Sequence, residues 1–177
     1  MIKVINGDVD KFGVLYERYK TPLYGYFFKL TKGDISSSED LVQGVFYKAL
    51  KYKHSFKGTG EFSKWLFSIA HNLGIDHARK MSRNASQEIS DNLVADDSNE
   101  MDRIERREEL LMLRQAMKEL DPADKEVLIL AKIKYLKYKD IAEILNISET
   151  AVKARIFRAI KRLKDYYIRL ETYNYER

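Results

Sequence analysis

IAEILNISETAVKARIFRAIKRLK, residues 141–164, reads as two helices joined by a tight turn. Ile141, Ile144 and Leu145 give a short helix one apolar stripe. Asn146-Ile147 supplies a turn in which Asn tolerates the left-handed conformation, and Ser148 is placed to cap the next helix. On that second helix Val152, Ile156, Ala159, Ile160 and Leu163 recur at helical spacing. Phe157 falls well round from this stripe, beside Ala154, Arg158 and Lys161, with Lys153 on the flank. The pattern is that of a helix-turn-helix. Helical hairpins that merely pack together share the spacing, so the outward face decides. Lys153, Arg155, Arg158, Lys161 and Arg162 can reach phosphates and base edges, and Phe157 can lie against a thymine methyl in the major groove.

Charge is distributed to match. The chain has 177 residues, 45% hydrophobic and 33% charged, with a formal charge of +5. Residues 48–80 and 148–170 each carry a net +5, whereas residues 81–110 carry −5. Two basic blocks separated by an acidic one suit a polyanion touched at both ends, although basic helix faces also serve as plain solvated surface. Cysteine is absent, which excludes disulfides and Cys-ligated zinc. MIKVINGDVD has no apolar signal core, and no apolar run approaches membrane-spanning length, so a cytoplasmic protein without membrane insertion is expected.

Long 3.6-residue periods and only two prolines predict an all-α chain. Phe12, Leu15, Tyr16 and Tyr19 mark one helix, and Leu23, Tyr26, Phe27 and Leu30 a second beginning near Pro22. Ser36 with Glu39, or Ser37 with Asp40, can box the start of a third, bearing Leu41, Val42, Val45, Phe46 and Ala49. HSFKGTGEF is a loop, after which Phe62, Trp65, Leu66, Ile69 and Leu73 predict a fourth helix to about Lys80. Residues 82–103 read as a flexible acidic linker. Beyond it lie a helix with Leu110, Leu113, Met117 and Leu120 inward, then a helix capped by Asp121 with Pro122 at its first position and carrying Val127, Leu128 and Ala131. The expected architecture is two small helical domains, 1–81 and 104–177, around the linker.

The first unit crowds Tyr47, Tyr52, Phe56, Phe62, Trp65 and Phe67 around a loop that also holds Lys51, Lys53, Lys57 and Lys64. Rings to stack unpaired bases and cations to follow a backbone are what single-stranded nucleic acid needs, at about 1–3 kcal/mol per stacked base. Phe62 and Trp65 also have the spacing of core residues. Catalytic motifs are missing: there is no nucleophile elbow, zincin helix or phosphate loop. His71 and His77 stand six apart on one helix, a poor spacing for a shared metal. Neither a cofactor nor a metal is expected.

Three ordered blocks, SSEDLVQGVFYKAL, HSFKGTGEFSKWLFSIAHNLGIDHARK and LDPADKEVLILAKIKYLKYKDIAEILNISETAVKARIFRAIKRL, resemble the extracytoplasmic-function sigma factors, the two-domain group of the sigma-70 family. The resemblance implies a promoter-specificity subunit of bacterial RNA polymerase, with no catalytic activity of its own. Its first domain, sigma-2, would bind core RNA polymerase through the DLVQGVF helix, here Asp40, Leu41, Gln43 and Phe46. The same domain would open the minus-10 element of promoter DNA with the loop His54, Ser55, Phe56, Lys57 and Gly58, together with Trp65 and Asn72. Sigma-4 would read the minus-35 element through Lys153, Ala154, Phe157, Arg158 and Lys161. The acidic linker would thread a basic polymerase channel, and an anti-sigma factor is an implied partner. Departures are Gly44 where relatives commonly have Glu, Thr150 where Gly is common, and Ala154 where Ser is common, so base preference is not transferable. A stand-alone helix-turn-helix regulator has no use for the aromatic loop, and a purely protein-binding adaptor none for the basic face.

Overall fold

The computed structural model describes residues 1–58, 61–83, 111–113, 115–133 and 135–175, with side chains as far as 169. Every regular element among them is helical. In order these are α1 (Ile2–Ile5), α2 (Lys11–Leu30), α3 (Ile35–Lys51), a 3-10 turn (Lys53–Ser55), α4 (Phe62–Arg83), α5 (Pro122–Ala131), α6 (Tyr138–Leu145) and α7 (Glu149–Tyr175). Residues 111–113 and 115–118 are helical too.

The two helices expected either side of Pro22 are one, because α2 runs through it. Phe12, Tyr19, Leu23, Tyr26 and Phe27 lie on one stripe across the proline and are all buried. At about 1.5–3 kcal/mol each their burial outweighs the roughly 3 kcal/mol that an interior proline costs. Lys32 and Gly33, at φ 59 and 100, then turn the chain. The cap of α3 also differs from either serine box. Asp34 is the N-cap, its carboxylate accepting from the Ser37 amide (3.1 Å) and from the Ser37 hydroxyl (2.5 Å). A carboxylate is a stronger acceptor than a hydroxyl and complements the helix dipole, so it takes the position. The Ser37 hydroxyl and amide in turn hold Asp34 below the ordinary carboxylate pKa.

Helix α4 extends to Arg83, past the expected Lys80 and into the first two residues assigned to the linker. Lys80 and Arg83 in its last turn favour that extension. The remainder of the predicted linker, from 84, lies outside the described residues. Helix α3 packs on α2 and α4, and short α1 on α2 and the 3-10 turn. Val4 of α1 is fully buried, an N-terminal core residue that the sequence pattern did not reveal.

In the second half Ala116 and Leu120 face inward but Leu113 does not, being 46% exposed. Leu110 is outside the described residues. The other local readings hold. Asp121 caps α5 by accepting from the Ala123 amide (2.9 Å), with Pro122 at the first helical position. Asn146 is left-handed at φ 53, and Ser148 Oγ accepts from the Ala151 amide (3.1 Å). Val127, Ile141, Val152 and Ala159 are fully buried where α5, α6 and α7 meet.

The two helical units expected from the sequence are present, and they pack on one another. Helix α6 packs on α4 and α5 on α2, and the buried residues from Val4 to Ile156 form one continuous cluster.

Candidate nucleic-acid interface

The outward face of α7 is as the angular argument requires. Phe157 is 71% exposed, although an aromatic ring normally hides from water. Ala154 and Lys161 are exposed beside it. Lys153 is exposed too and pairs with Glu149 one turn back (2.9 Å), which leaves its ammonium free to exchange a solvated partner for a phosphate. Ile160 departs from the buried stripe and is 53% exposed. It stands about 70° from the centre of the stripe set by Val152, Ile156, Ala159 and Leu163, so it extends the apolar surface of Phe157 instead.

Arg158 has an internal task. Its guanidinium donates through Nε (3.4 Å) and Nη2 (3.0 Å) to the two carboxylate oxygens of Asp124, whose side chain is 5% exposed, and Arg162 Nη1 lies 3.9 Å from the same carboxylate. Asp124 stands in the first turn of α5, so this clamp fixes α7 against the supporting helices and orients the face that Phe157 occupies. The hydrogen bonds and charge of Asp124 raise the Arg158 pKa further. Sequence reading missed Asp124; an acid in a helix's first turn suggests only a dipole partner.

The loop residues of the first unit are brought together. Phe56, Phe62 and Trp65 form a three-ring cluster with centroids 5.5–5.7 Å apart. All three are partly exposed, which combines the two readings of Phe62 and Trp65: the rings pack on one another and still present edges to solvent. Trp65 Nε1 donates to Ser55 Oγ (3.2 Å), tying the loop to α4. His54, Lys57 and Gly58 are exposed around the cluster. Asn72, two turns after Trp65 and on the same side of α4, is exposed as well.

Helix α1 underlies this loop. Lys53 Nζ donates to the Val4 carbonyl (3.3 Å), and a Cβ on Gly58 would come within 3.2 Å of Ile2 Cδ1. At φ 73 Gly58 also holds a conformation that side chains resist.

On α3, Asp40 and Gln43 are exposed and Leu41 partly so. Phe46 does not share their surface. It is 4% exposed, packed edge-on against Phe12 and tilted against Tyr16, and so secures α3 from beneath. Gly44 faces α4, where a Cβ would meet Leu73 at 3.6 Å.

A helix-turn-helix with a basic, Phe-bearing face, beside a unit presenting an aromatic and cationic loop, has the make-up of a helical DNA-binding protein. Residues 15–84 match the Sigma-70 region 2 family and residues 110–163 the Sigma-70, region 4 family. The chain is 34% identical over 160 residues to the ECF RNA polymerase sigma factor SigM of Bacillus subtilis (strain 168), covering 88% of this chain and 94% of that one. It is 30% identical over 172 residues to the ECF RNA polymerase sigma factor SigW of the same strain, covering 92% and 91%. Its fold is similar to that of the sigma factor RpoE of Bartonella quintana, solved in complex with the anti-sigma factor NepR, with a TM-score of 0.71 and 25% identity over 88% of this chain and 96% of that one. The chain belongs to the extracytoplasmic-function group of the sigma-70 family: it is an RNA polymerase sigma factor. Among the described residues no helix is long and apolar enough to cross a membrane.

Proposed function

We propose that residues 1–81 act as sigma-2, 104–177 as sigma-4 and 82–103 as the linker of a cytoplasmic sigma factor that carries no chemistry of its own. Asp40, Leu41 and Gln43 meet core polymerase, with Phe46 supporting them from the core. The loop from His54 to Gly58, with Trp65 and Asn72, engages the minus-10 element once its strands part. Its rings replace lost base stacking and Lys57 offsets phosphate charge. Lys153, Ala154, Phe157 and Lys161 meet the minus-35 duplex, where Phe157 supplies apolar contact to a thymine methyl and the lysines reach phosphate. Arg158 divides its donors between Asp124 and DNA, so it orients the helix as well as contacting the duplex. An anti-sigma factor is the natural antagonist, since RpoE of Bartonella quintana binds one on a similar fold.

The observation that carries this reading is Phe157 at 71% exposure on the one basic face of a helix-turn-helix. Mobility-shift titration of promoter duplexes tests it. The free protein should show only weak, salt-dependent binding, and sequence preference should appear when core polymerase is added. Tight, sequence-specific binding by the free protein would favour a stand-alone regulator.

A further inference from the structure

Lys53 is one of the lysines that the sequence suggests for following a nucleic-acid backbone, and the structure gives it another task. It opens the 3-10 turn, is only partly exposed, and its ammonium donates to the Val4 carbonyl of α1 (3.3 Å). Four residues cannot hold a helix by themselves, so α1 depends on Val4, which is fully buried in the core cluster. The acceptor for Lys53 is thereby fixed to the body of the protein. Further along the loop the chain meets α1 again. Gly58 stands at φ 73, and a Cβ on it would lie 3.2 Å from Ile2 Cδ1 and 3.5 Å from Ile2 Cγ1, so the Ile2 side chain sits over the bare α-carbon.

Helix α1 thus touches both ends of the segment 53–58, and the residues between those ends are the ones offered to DNA. Phe56 has an extended backbone, and its ring centroid stands 5.7 Å from that of Phe62 and 5.5 Å from that of Trp65. His54 and Lys57 are exposed on either side of it. The attachment from α4 is a single hydrogen bond, Trp65 Nε1 to Ser55 Oγ, together with these ring contacts. Ring contacts leave main-chain torsions free, whereas an ammonium on a fixed carbonyl and a side chain over a glycine restrain them. A loop restrained before it binds avoids the entropy of ordering at the moment of binding. Ile2 itself is 55% exposed, so little core stability rests on its seat over Gly58.

We propose that α1 is a positioning brace for the minus-10 loop: Lys53 and Ile2 fix the two ends of residues 53–58, so that Phe56 meets an unpaired base in a preset geometry. Lys53 and Ile2 are positioning residues that act through the loop and not by contact with DNA. The consequence at promoters rests on the sigma-factor reading, whereas the bracing itself can be measured on the free chain.

Trp65 is the chain's only tryptophan and lies inside the ring cluster, so its fluorescence reports the state of the loop. Ile2→Ala and Lys53→Met should each keep the circular dichroism and melting behaviour of the wild type yet make Trp65 more accessible to quenching by acrylamide. Lys53→Arg, which retains a donor, should restore the wild-type quenching. With core polymerase, Ile2→Ala and Lys53→Met should each lower permanganate reactivity of minus-10 thymines at least about fivefold, the factor that fixing the backbone of one residue is worth. Association with polymerase and the ranking of minus-35 variants should stay as in the wild type. Unchanged Trp65 quenching in both variants would overturn the brace, and so would increased quenching with full strand opening. A defect confined to Lys53→Met, with a salt slope lower by about one unit, would also overturn it, because Lys53 would then be a direct phosphate contact. If the variants loosen Trp65 but the wild-type protein itself opens no promoter with core polymerase, the brace stands and the assignment of the loop to the minus-10 element falls.

Discussion

Replacing Phe157 by Ala separates a DNA-reading side chain from a structural one. Full burial of a phenylalanine stabilises a fold by about 1.5–3 kcal/mol, and Phe157, at 71% exposure, realises less than a third of it. Phe157→Ala should therefore cost about 0.5–1 kcal/mol of stability, a melting shift of about 2–8 °C for a unit of this size. Its neighbour Ile156, 8% exposed, is the contrast: Ile156→Ala should cost about 2–5 kcal/mol and unfold much of the unit. On DNA the order reverses. Loss of one apolar base contact is worth about 1–3 kcal/mol, a factor of about 5–150, at the best minus-35 sequence, and little at sequences lacking the matching thymine. The assay is transcription from a library of minus-35 variants by polymerase carrying each mutant, alongside thermal melting of the free proteins. If Phe157→Ala sharply lowered the melting temperature while preserving promoter ranking, the ring would be a core residue and the argument from exposure would be wrong.

Three further outcomes follow from the same geometry. Arg158→Ala should lower the melting temperature more than Lys153→Ala does, because it alone strips the buried Asp124 carboxylate of its two-point partner; equal melting of the two variants would remove the clamp. Lys153→Ala, if phosphate is its partner, should weaken all promoter sequences alike and reduce the salt slope by about one unit, measured by anisotropy with the reconstituted complex. Asp34 has a lowered pKa in the fold, so its contribution is present above the ordinary carboxylate range near pH 4 and fades as pH falls through the folded value. The stability gap between wild type and Asp34→Asn by urea titration should accordingly narrow from pH 6 to pH 3, and a gap independent of pH would contradict the cap assignment.

The helix-turn-helix was readable because its determinants are local. Asp121-Pro122, Asn146 and Ser148 act through backbone groups within three residues, and each takes the role its chemistry suggests. Phe157 was readable from angle alone, but Ile160 was not, since at the edge of a stripe the neighbouring helices decide whether a side chain is covered. Pro22 misleads for the opposite reason: a strong local signal is overridden by tertiary burial on both sides of it. Asp34 was overlooked because serines crowd the start of α3 and the competition among caps is won by charge. The Arg158–Asp124 clamp, the support of Gly58 by Ile2, and the meeting of Tyr26, His71 and Glu126 join residues 34 to 100 positions apart, and no periodicity encodes such pairs.

Phe56→Ala with Lys57→Ala isolates the loop's part in opening DNA: association with polymerase should persist, and permanganate reactivity of minus-10 thymines should fall. Unchanged reactivity would remove the loop from the interface. The most direct test of the whole account is one transcription reaction, core RNA polymerase on a pool of genomic promoter fragments with and without this protein. Discrete new transcripts that require the protein, share upstream sequence elements, and diminish with Phe157→Ala are expected. A transcript profile unaltered by the protein would contradict it.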